Sequence, residues 1–349
     1  MSQGLYTADL VAKFESYFDR SRSRHFDSPI EEGLELSPAD QPVLGSVEYD
    51  EMSKFRDAYM AIVGGLLWLA NMTRVDIAYS ASQLARFMSN PGPSHFKAAI
   101  RVLVYLRDTA DRALVMRPDP VRGLESFVDS SWATKFSCSG GMFFYYGCLF
   151  HWFSKMQRSV TLSSAEAEFF GAMLAAKGGY LHSRGAAHRP RHPCRDAPSV
   201  IKCDSKSAVG MAFDPVAFKK TKHILRAAEF LRDLVAREVV SVEHLPGAVM
   251  LADILTKAAS RAVFVELVRM THIERPVDLN LQRLAAACSG TIMAGDKAAR
   301  IGIVPAKAEP QRADMIIKRF ANLRCQRTTM TIAQNNIWQS FVLMVNIRH

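Results

Sequence analysis

Long apolar runs and a secretory leader are both missing from this sequence of 349 residues. The densest apolar run, residues 59–70, is about a dozen residues long and holds two glycines, too short to cross about 30 Å of hydrocarbon. The N-terminus lacks the basic start, apolar middle and small-residue cleavage site of a secretory signal. The sequence therefore predicts a protein with no membrane anchor that stays inside the cell, in the cytoplasm or the nucleus.

Closely spaced cysteine pairs are also missing. The six cysteines are Cys138, Cys148, Cys194, Cys203, Cys288 and Cys325. Because no two of them form a CxxC motif, the pattern indicates neither a disulfide framework nor a zinc knuckle. We interpret them as reduced thiols.

What is present is an ordinary globular composition with an excess of positive charge. Hydrophobic residues make up 49%, charged residues 22% and aromatic residues 9%, which excludes collagen-like, coiled-coil and wholly disordered chains. The net charge of +10 favours a polyanionic partner, either nucleic acid or an acidic membrane surface. Residues 291–349 hold nine Lys and Arg against three Asp and Glu, so +6 of that charge lies in the C-terminal stretch.

The patterning divides the chain into four parts. Residues 1–48 form a polar, proline-punctuated lead-in, and 49–118 show the 3.6-residue period of a small helical region. Residues 121–273 begin with short β-branched and aromatic runs that predict strands, including a hairpin that turns near Gly147. Helices then alternate with strands, and the last predicted helix covers 250–270. Residues 274–349 form a basic, partly disordered tail. This order predicts a mixed α/β fold, a central mixed sheet flanked by helices and preceded by a small helical region.

Acidic residues occupy unusual places in the predicted sheet domain. Asp129 and Asp204 each close an apolar strand, whereas Glu168 and Asp253 lie inside apolar helical segments. Taken alone, Asp204 has the position of a helix N-cap and Asp129 that of a turn residue.

Glu166 and Glu168 compete for one functional role. Ser163 and Glu166 have the spacing of a capping box, in which each side chain satisfies a terminal backbone donor. Glu168 points about 200° away around the helix. It is therefore the better candidate for chemistry.

Four converging carboxylates would need cations between them. Each pair at about 4 Å repels by about 4 kcal/mol at an effective dielectric constant of about 20. Mg²⁺ prefers such oxygen ligands, and two ions about 3.5 to 4 Å apart would stabilise the attacking and leaving oxygens of a phosphodiester displacement. The sequence order alone leaves their convergence open.

Several motifs together resemble the ribonuclease H domain of copia-type retrotransposon polyproteins. In chain order they are VDSSWA, HWFSKMQRSVTLSSAEAEFFGA, IKCDSKSAVGMA, FKKTKHI and LADILTK. The helical run over 59–109 is similar to the segment that follows the reverse transcriptase palm in these polyproteins. The resemblance covers roughly residues 25–270.

The resemblance implies a ribonuclease H-like fold that hydrolyses the RNA strand of RNA–DNA hybrids and leaves a 3′-hydroxyl and a 5′-phosphate. Its four metal-binding acids correspond to Asp129, Glu168, Asp204 and Asp253, which would hold two Mg²⁺ ions, with Mn²⁺ as a substitute. His244 would assist proton transfer, the alternative being a surface histidine. The implied partners are the hybrid and the upstream reverse transcriptase region of a parent polyprotein.

Basic residues near these motifs are candidates for phosphate contact. They are Lys155, Arg158, Lys219, Lys220 and Lys222. Those at 219–222 open a predicted helix, where positive charge opposes the helix dipole, and phosphate contacts would position a duplex without reading its bases. A solvated basic face is the alternative. We interpret Trp132 and Trp152 as packing residues rather than base-stacking platforms.

The sequence also departs from the family pattern. Ser131 and Ser205 replace a common second aspartate and a common asparagine, and neither position is a metal ligand. Residues 181–198 are rich in Arg, His and Pro where an amphipathic helix is expected. A Tyr-x-Asp-Asp motif is missing, so the chain has no polymerase activity. The alternative function is therefore a catalytically inactive retroelement remnant that only binds nucleic acid.

Overall fold

The computed structural model describes residues 1–18, 25–131, 137–157, 164–186, 198–213 and 222–275. The chain divides into two units, 1–286 and 287–349, and the second unit lies entirely outside the described residues. The predicted basic tail therefore lies outside them as well, apart from its first two residues. No helix in the described ranges is both long enough and apolar enough to cross a bilayer.

The N-terminal half of the described chain is helical. Its helices are α1 (Gly4–Phe14), α2 (Val47–Ser53), α3 (Arg56–Met72), α4 (Ala78–Ala85) and α5 (Pro93–Asp108). The apolar residues of α3 recur every three or four positions, as in Tyr59, Ile62 and Leu66, and these side chains have no solvent exposure. This one-sided burial is what the helical period predicts.

Helix α1 differs from the predicted polar lead-in. Leu10, Val11 and Phe14 lie on one side of α1 and are buried in the main core. Their spacing is helical, but the helix is short and lies next to a polar, proline-rich stretch that dominated the sequence pattern. The first fourteen residues therefore belong to the packed structure.

The second half contains the sheet and its helices. After β1 (Ala113–Leu114) come β2 (Leu124–Ser131), β3 (Cys138–Tyr145), β4 (Cys148–Met156), α6 (Ser164–Ala186), β5 (Ser199–Cys203), α7 (Lys206–Phe213), α8 (Lys222–Ala236), β6 (Val240–His244), α9 (Arg261–Met270) and β7 (Ile273–Glu274). The five-stranded sheet has the order β4-β3-β2-β5-β6. Strands β4, β3 and β2 are antiparallel, and β2, β5 and β6 are parallel. The predicted central mixed sheet flanked by helices is confirmed.

The predicted hairpin near Gly147 is also confirmed. Tyr145 pairs with Cys148, which leaves a two-residue turn in which Tyr146 and Gly147 both have positive φ, 52° and 71°. Such turns match the natural twist of two antiparallel strands.

The two faces of the sheet contact different helices. On β3, Met142 and Phe144 belong to a core shared with α1, α3 and α5, whereas Phe143 belongs to a second core with α6, α7 and α8. Successive strand residues point to opposite faces, so one strand contributes to both cores. The result is three layers with the sheet in the middle.

The larger core crosses the boundary that the sequence predicts near residue 120. It contains Leu66 from α3, Trp152 from β4 and Leu251 from the segment after β6. The indole Nε1 of Trp152 donates a hydrogen bond to the carbonyl oxygen of Ala70 at 2.7 Å, which confirms its packing role. The N-terminal helices and the five-stranded sheet therefore share one core.

The predicted single helix over 250–270 is wrong. Leu251–Leu255 form a 3₁₀ helix, and α9 begins only at Arg261. The five residues between them are not helical. The 3₁₀ helix packs against β2 and β3, and Phe264, Leu267 and Val268 of α9 are buried in the main core. Asp253 therefore lies in a tight turn over the sheet rather than in a long helix.

Candidate metal centre

Two of the four candidate carboxylates follow from the pairing of the central strands. Val128 of β2 pairs in parallel register with Cys203 of β5. The next residue in each chain segment is an aspartate, Asp129 and Asp204. β2 continues for two residues beyond Asp129, so Asp129 is a strand residue and neither closes the strand nor lies in a turn. Because β2 and β5 run in the same direction, their register brings both aspartates to one edge of the sheet.

Glu168 reaches the same edge from α6. The backbone N–H of Ser130 donates to Glu168 Oε1 at 3.1 Å. Gly171, one turn further along the helix, permits this approach, since a Cβ there would lie 2.9 Å from Ser130 Oγ. Glu168 is 7% exposed, so its carboxylate lies between helix and sheet.

Asp253 reaches the centre from the 3₁₀ helix. Gly140, the β3 partner of Asp129, lies directly beneath that helix. A Cβ at Gly140 would lie 2.6 Å from Leu255 Cβ and 3.1 Å from the carbonyl oxygen of Ala252. Only a residue without a side chain lets the 3₁₀ helix pack this closely over the strand.

The residues after the 3₁₀ helix hold two of the carboxylates. The Thr256 hydroxyl donates a hydrogen bond to Asp129 Oδ2. Lys257 Nζ forms an ion pair with Asp253 Oδ2 at 2.9 Å. Sequence reasoning missed both residues, although the quoted LADILTK motif contains them.

The four carboxylates and the Cys203 thiol form two overlapping groups of potential ligands. Ligand atoms of Asp129, Asp204 and Asp253 lie within 4.8 Å of one another, and so do those of Glu168, Cys203 and Asp204. Asp204 belongs to both groups. Cys203 was assigned no role from the sequence, and its only signal is its position directly before Asp204.

Burial and mutual repulsion keep protons in this cluster. Burial, together with Asp129 and Asp204, raises the pKa of Glu168 to about 9. Burial raises the pKa of Asp129 to about 6; Asp253 and Asp204 act in the same direction, and the Thr256 hydrogen bond opposes them. Both shifts follow from placing negative charge away from solvent and close to other negative charge.

The pKa values of Asp204 and Cys203 are also raised. Burial and the neighbouring Asp253 raise the pKa of Asp204, against the opposing charges of Lys257 and His244. Burial raises the pKa of the Cys203 thiol strongly, and Glu168 adds to the shift. The Cys203 thiol donates to Glu168 Oε2 at 3.8 Å.

The donor set fits a divalent cation. Asp253 Oδ1 is buried and has no hydrogen-bond partner among the described residues, an arrangement that costs free energy unless a ligand or cation satisfies it. The converging carboxylate oxygens are the hard ligands that Mg²⁺ prefers. The cluster of acidic residues can therefore bind a metal ion.

The other predicted site residues are distributed differently. His244 ends β6, pairs in register with Cys203 and is exposed. Lys155 lies on β4 and is half-buried. Arg158, Lys219, Lys220 and Trp132 lie outside the described residues, as does the side chain of Lys222.

Residues 181–198 are described only in part. Helix α6 continues to Ala186, so its C-terminal end includes the first part of this Arg, His and Pro-rich stretch. Residues 187–197 lie outside the described part of the chain.

The sheet order and its flanking helices define a ribonuclease H-like fold with an acidic centre at one edge. The chain is similar to retrovirus-related Pol polyproteins from copia-type plant transposons. It is 30% identical over 252 residues to the Pol polyprotein from transposon TNT 1-94 of Nicotiana tabacum, a match covering 71% of this chain and 18% of the relative. It is 32% identical over 270 residues to the Pol polyprotein from transposon RE2 of Arabidopsis thaliana, covering 76% and 17%. The chain thus spans less than a fifth of the length of either polyprotein.

Among solved structures, the N-terminal RNase H domain of rv2228c from Mycobacterium tuberculosis is similar to this chain. The TM-score is 0.31 and the identity 15%, and the match covers 40% of this chain and 95% of that one. No family model matches the sequence.

Proposed function

We propose that the chain is a metal-dependent endoribonuclease that hydrolyses the RNA strand of RNA–DNA hybrids. The observation that carries the proposal is that Asp204, directly after β5, lies close to carboxylates from β2, α6 and the 3₁₀ helix. Asp129, Glu168, Asp204 and Asp253 would hold two Mg²⁺ ions, with Mn²⁺ as a substitute. Such ions supply charge stabilisation to the attacking and leaving oxygens of an in-line displacement at phosphorus.

In this proposal the chain's own groups orient the ligands. The Ser130 N–H fixes one oxygen of Glu168, and the Thr256 hydroxyl fixes one oxygen of Asp129. Lys257 balances part of the charge of Asp253. Hydrogen-bonded partners of this kind hold ligands in the orientation that metal binding requires. The products would carry a 3′-hydroxyl on one side of the break and a 5′-phosphate on the other.

His244 is proposed to transfer a proton at the exposed rim of the centre. It is close enough to Asp204 for its charge to lower the pKa of that carboxyl, and its exposure leaves the imidazole free to reach a bound strand. Replacing His244 by alanine is expected to reduce the rate constant for cleavage by about 10²-fold without weakening Mg²⁺ binding. An unchanged single-turnover rate would assign His244 to the surface alone.

Phosphate contacts are proposed for the five basic residues that the sequence indicates. Lys155, Arg158, Lys219, Lys220 and Lys222 would bind the backbone of the hybrid without reading its sequence. Affinity for the hybrid should then fall with rising salt and be equal for unrelated sequences. A salt-independent affinity would contradict these contacts.

The proposed division of the chain follows the same function. Residues 49–118 would correspond to the end of the reverse transcriptase region and 121–273 to the nuclease. Residues 1–48 would be the lead-in and 274–349 a basic tail. The upstream reverse transcriptase region of a parent polyprotein would be the protein partner.

The test is cleavage of a labelled RNA–DNA hybrid by the purified chain. We expect cleavage only with Mg²⁺ or Mn²⁺, and a loss of at least about 10²-fold in Asp204→Asn because a shared ligand is neutralised. Asp233→Asn is the matched control, since Asp233 is exposed on α8 and pairs only with Arg237 among the described residues. Hybrid binding without cleavage under either metal would replace the proposal with the inactive, nucleic-acid-binding remnant.

A further inference from the structure

One potential ligand in the centre is not used by the proposed magnesium chemistry. Cys203 ends β5, has no solvent exposure, and its Sγ donates to Glu168 Oε2 at 3.8 Å. Its sulfur and the carboxylates of Glu168 and Asp204 lie within 4.8 Å of one another. Thiolate sulfur is a soft ligand that Mg²⁺ does not select, whereas Zn²⁺ and related ions do.

The spacing of these ligands suits a small tetrahedral ion. Zn–S bonds of about 2.3 Å and Zn–O bonds of about 2.0 to 2.2 Å place sulfur and oxygen about 3.6 Å apart across a tetrahedral ion. The distance between Cys203 Sγ and Glu168 Oε2 is 3.8 Å. The pair could therefore hold such an ion with little movement of either side chain.

A second observation points to a cation in the same centre. Asp253 is 7% exposed, and its buried Oδ1 has no hydrogen-bond partner in the described ranges. Its carboxylate belongs to the group that shares Asp204 with the thiol-containing group. One buried carboxylate oxygen of the centre therefore has no partner among the described residues, and because Asp204 is shared, the two groups cannot be loaded independently.

We propose that Glu168, Cys203 and Asp204 form a site for a soft divalent cation such as Zn²⁺ or Cd²⁺, and that its occupation inhibits the enzyme by taking Asp204 from Mg²⁺. This regulation depends on the proposed function, because it acts on the same centre. On binding, the S–H bond of Cys203 breaks, its proton passes to solvent, and the sulfur bonds to the cation. No oxidant or reductant takes part.

The experiment is a titration of the full chain with Cd²⁺, followed by the ultraviolet charge-transfer absorption of the cadmium–thiolate bond. We expect wild type to show a saturable band whose amplitude falls in Cys203→Ser by the contribution of one cadmium–thiolate bond. Cys148→Ser is the matched control, since Cys148 is a buried thiol at the start of β4 outside the acidic cluster, and it should keep the band. Excess Mg²⁺ should raise the apparent dissociation constant for Cd²⁺. A band of equal size in wild type and Cys203→Ser would overturn the proposal.

A second variant covers the case in which Cys203→Ser does not fold. Asp204→Asn keeps the thiol and removes a charged ligand, so Cd²⁺ should bind at least about tenfold more weakly. Unchanged affinity would also overturn the site.

Two assays separate this inference from the proposed function. Cleavage of the hybrid by wild type in Mg²⁺ alone tests the nuclease, and the band that depends on Cys203 tests the thiol site. A Cys203-dependent band in a chain that does not cleave supports the site and rejects the nuclease. Cleavage of the hybrid together with a band of equal size in wild type and Cys203→Ser supports the nuclease and rejects the thiol site.

Discussion

Glu168 shows how a single buried carboxyl couples protonation to stability. Burial and the nearby Asp129 and Asp204 raise its pKa to about 9, and Asp129 itself has a pKa raised to about 6. A carboxyl with a raised pKa binds its proton more tightly in the folded chain than in the unfolded chain. The free energy of unfolding therefore falls as pH rises from about 4 through these two values.

We expect the metal-free chain to lose on the order of 4 kcal/mol of unfolding free energy between about pH 5 and pH 8. Glu168→Gln should make the decline smaller, because the amide carries no charge to repel its neighbours. Added Mg²⁺ should restore stability at the higher pH by binding the folded state. Urea unfolding with and without a chelator measures both effects.

Glu243→Gln is the matched control for this pH dependence, since Glu243 lies exposed on β6 outside the two ligand groups. It should leave the pH dependence as in wild type. A wild-type stability that stays constant or rises over the same interval would contradict the assigned protonation of the cluster.

At the scale of elements, the 3₁₀ helix at Leu251–Leu255 depends on Gly140 of β3. A methyl group at Gly140 would lie 2.6 Å from Leu255 Cβ, a distance that requires the helix or the strand to move. Because Asp253 and Thr256 lie in or directly after this helix, any such movement changes two contacts of the centre at once.

We expect Gly140→Ala to lower the free energy of unfolding by about 1 to 3 kcal/mol and to weaken Mg²⁺ binding. Gly64→Ala is the control, because Gly64 lies in α3 with nothing within 4 Å of an added Cβ. There alanine should stabilise by about 0.5 to 1 kcal/mol. Denaturant unfolding measures the stability of both variants, and calorimetry measures their affinity for Mg²⁺. Equal Mg²⁺ affinity in the two variants would disprove the role of Gly140.

For the whole molecule, the important feature is the core that joins helices and sheet. Leu66 of α3 has no solvent exposure and shares this core with Trp152 of β4 and Leu255 beside the centre. A core that spans both parts predicts one cooperative transition for residues 1–275 rather than two.

Leu66→Ala is therefore expected to cost about 2 to 5 kcal/mol and to destabilise the sheet as much as the helices. Amide hydrogen exchange would show this as an equal loss of protection in α3 and in β2. Loss of protection confined to α3 would mean that the helical region unfolds on its own.

Much of this architecture follows from local patterns. The period of α3, the two-residue turn at Tyr146 and Gly147, and the change from strands to alternating helices and strands are properties of short segments, and they predict a mixed sheet flanked by helices. Helix α1 and the break before α9 were not predicted. Helix α1 is stabilised by burial against α3 and α5, and the break before α9 goes with the packing of the 3₁₀ helix against Gly140. Both contacts are with residues distant in the sequence, so a local pattern does not predict them.

The same division holds for the centre. The sequence by itself determined which carboxylates are candidates, because Asp129 and Asp204 directly follow short apolar runs and the motifs resemble one family. Only the tertiary structure decided that Asp204 is shared by two ligand groups, that Thr256 and Lys257 hold two of the acids, and that Cys203 lies among them. Pairing Val128 with Cys203 brings together residues that are 75 positions apart, and sequence spacing fixes order along a chain but not distance across a sheet.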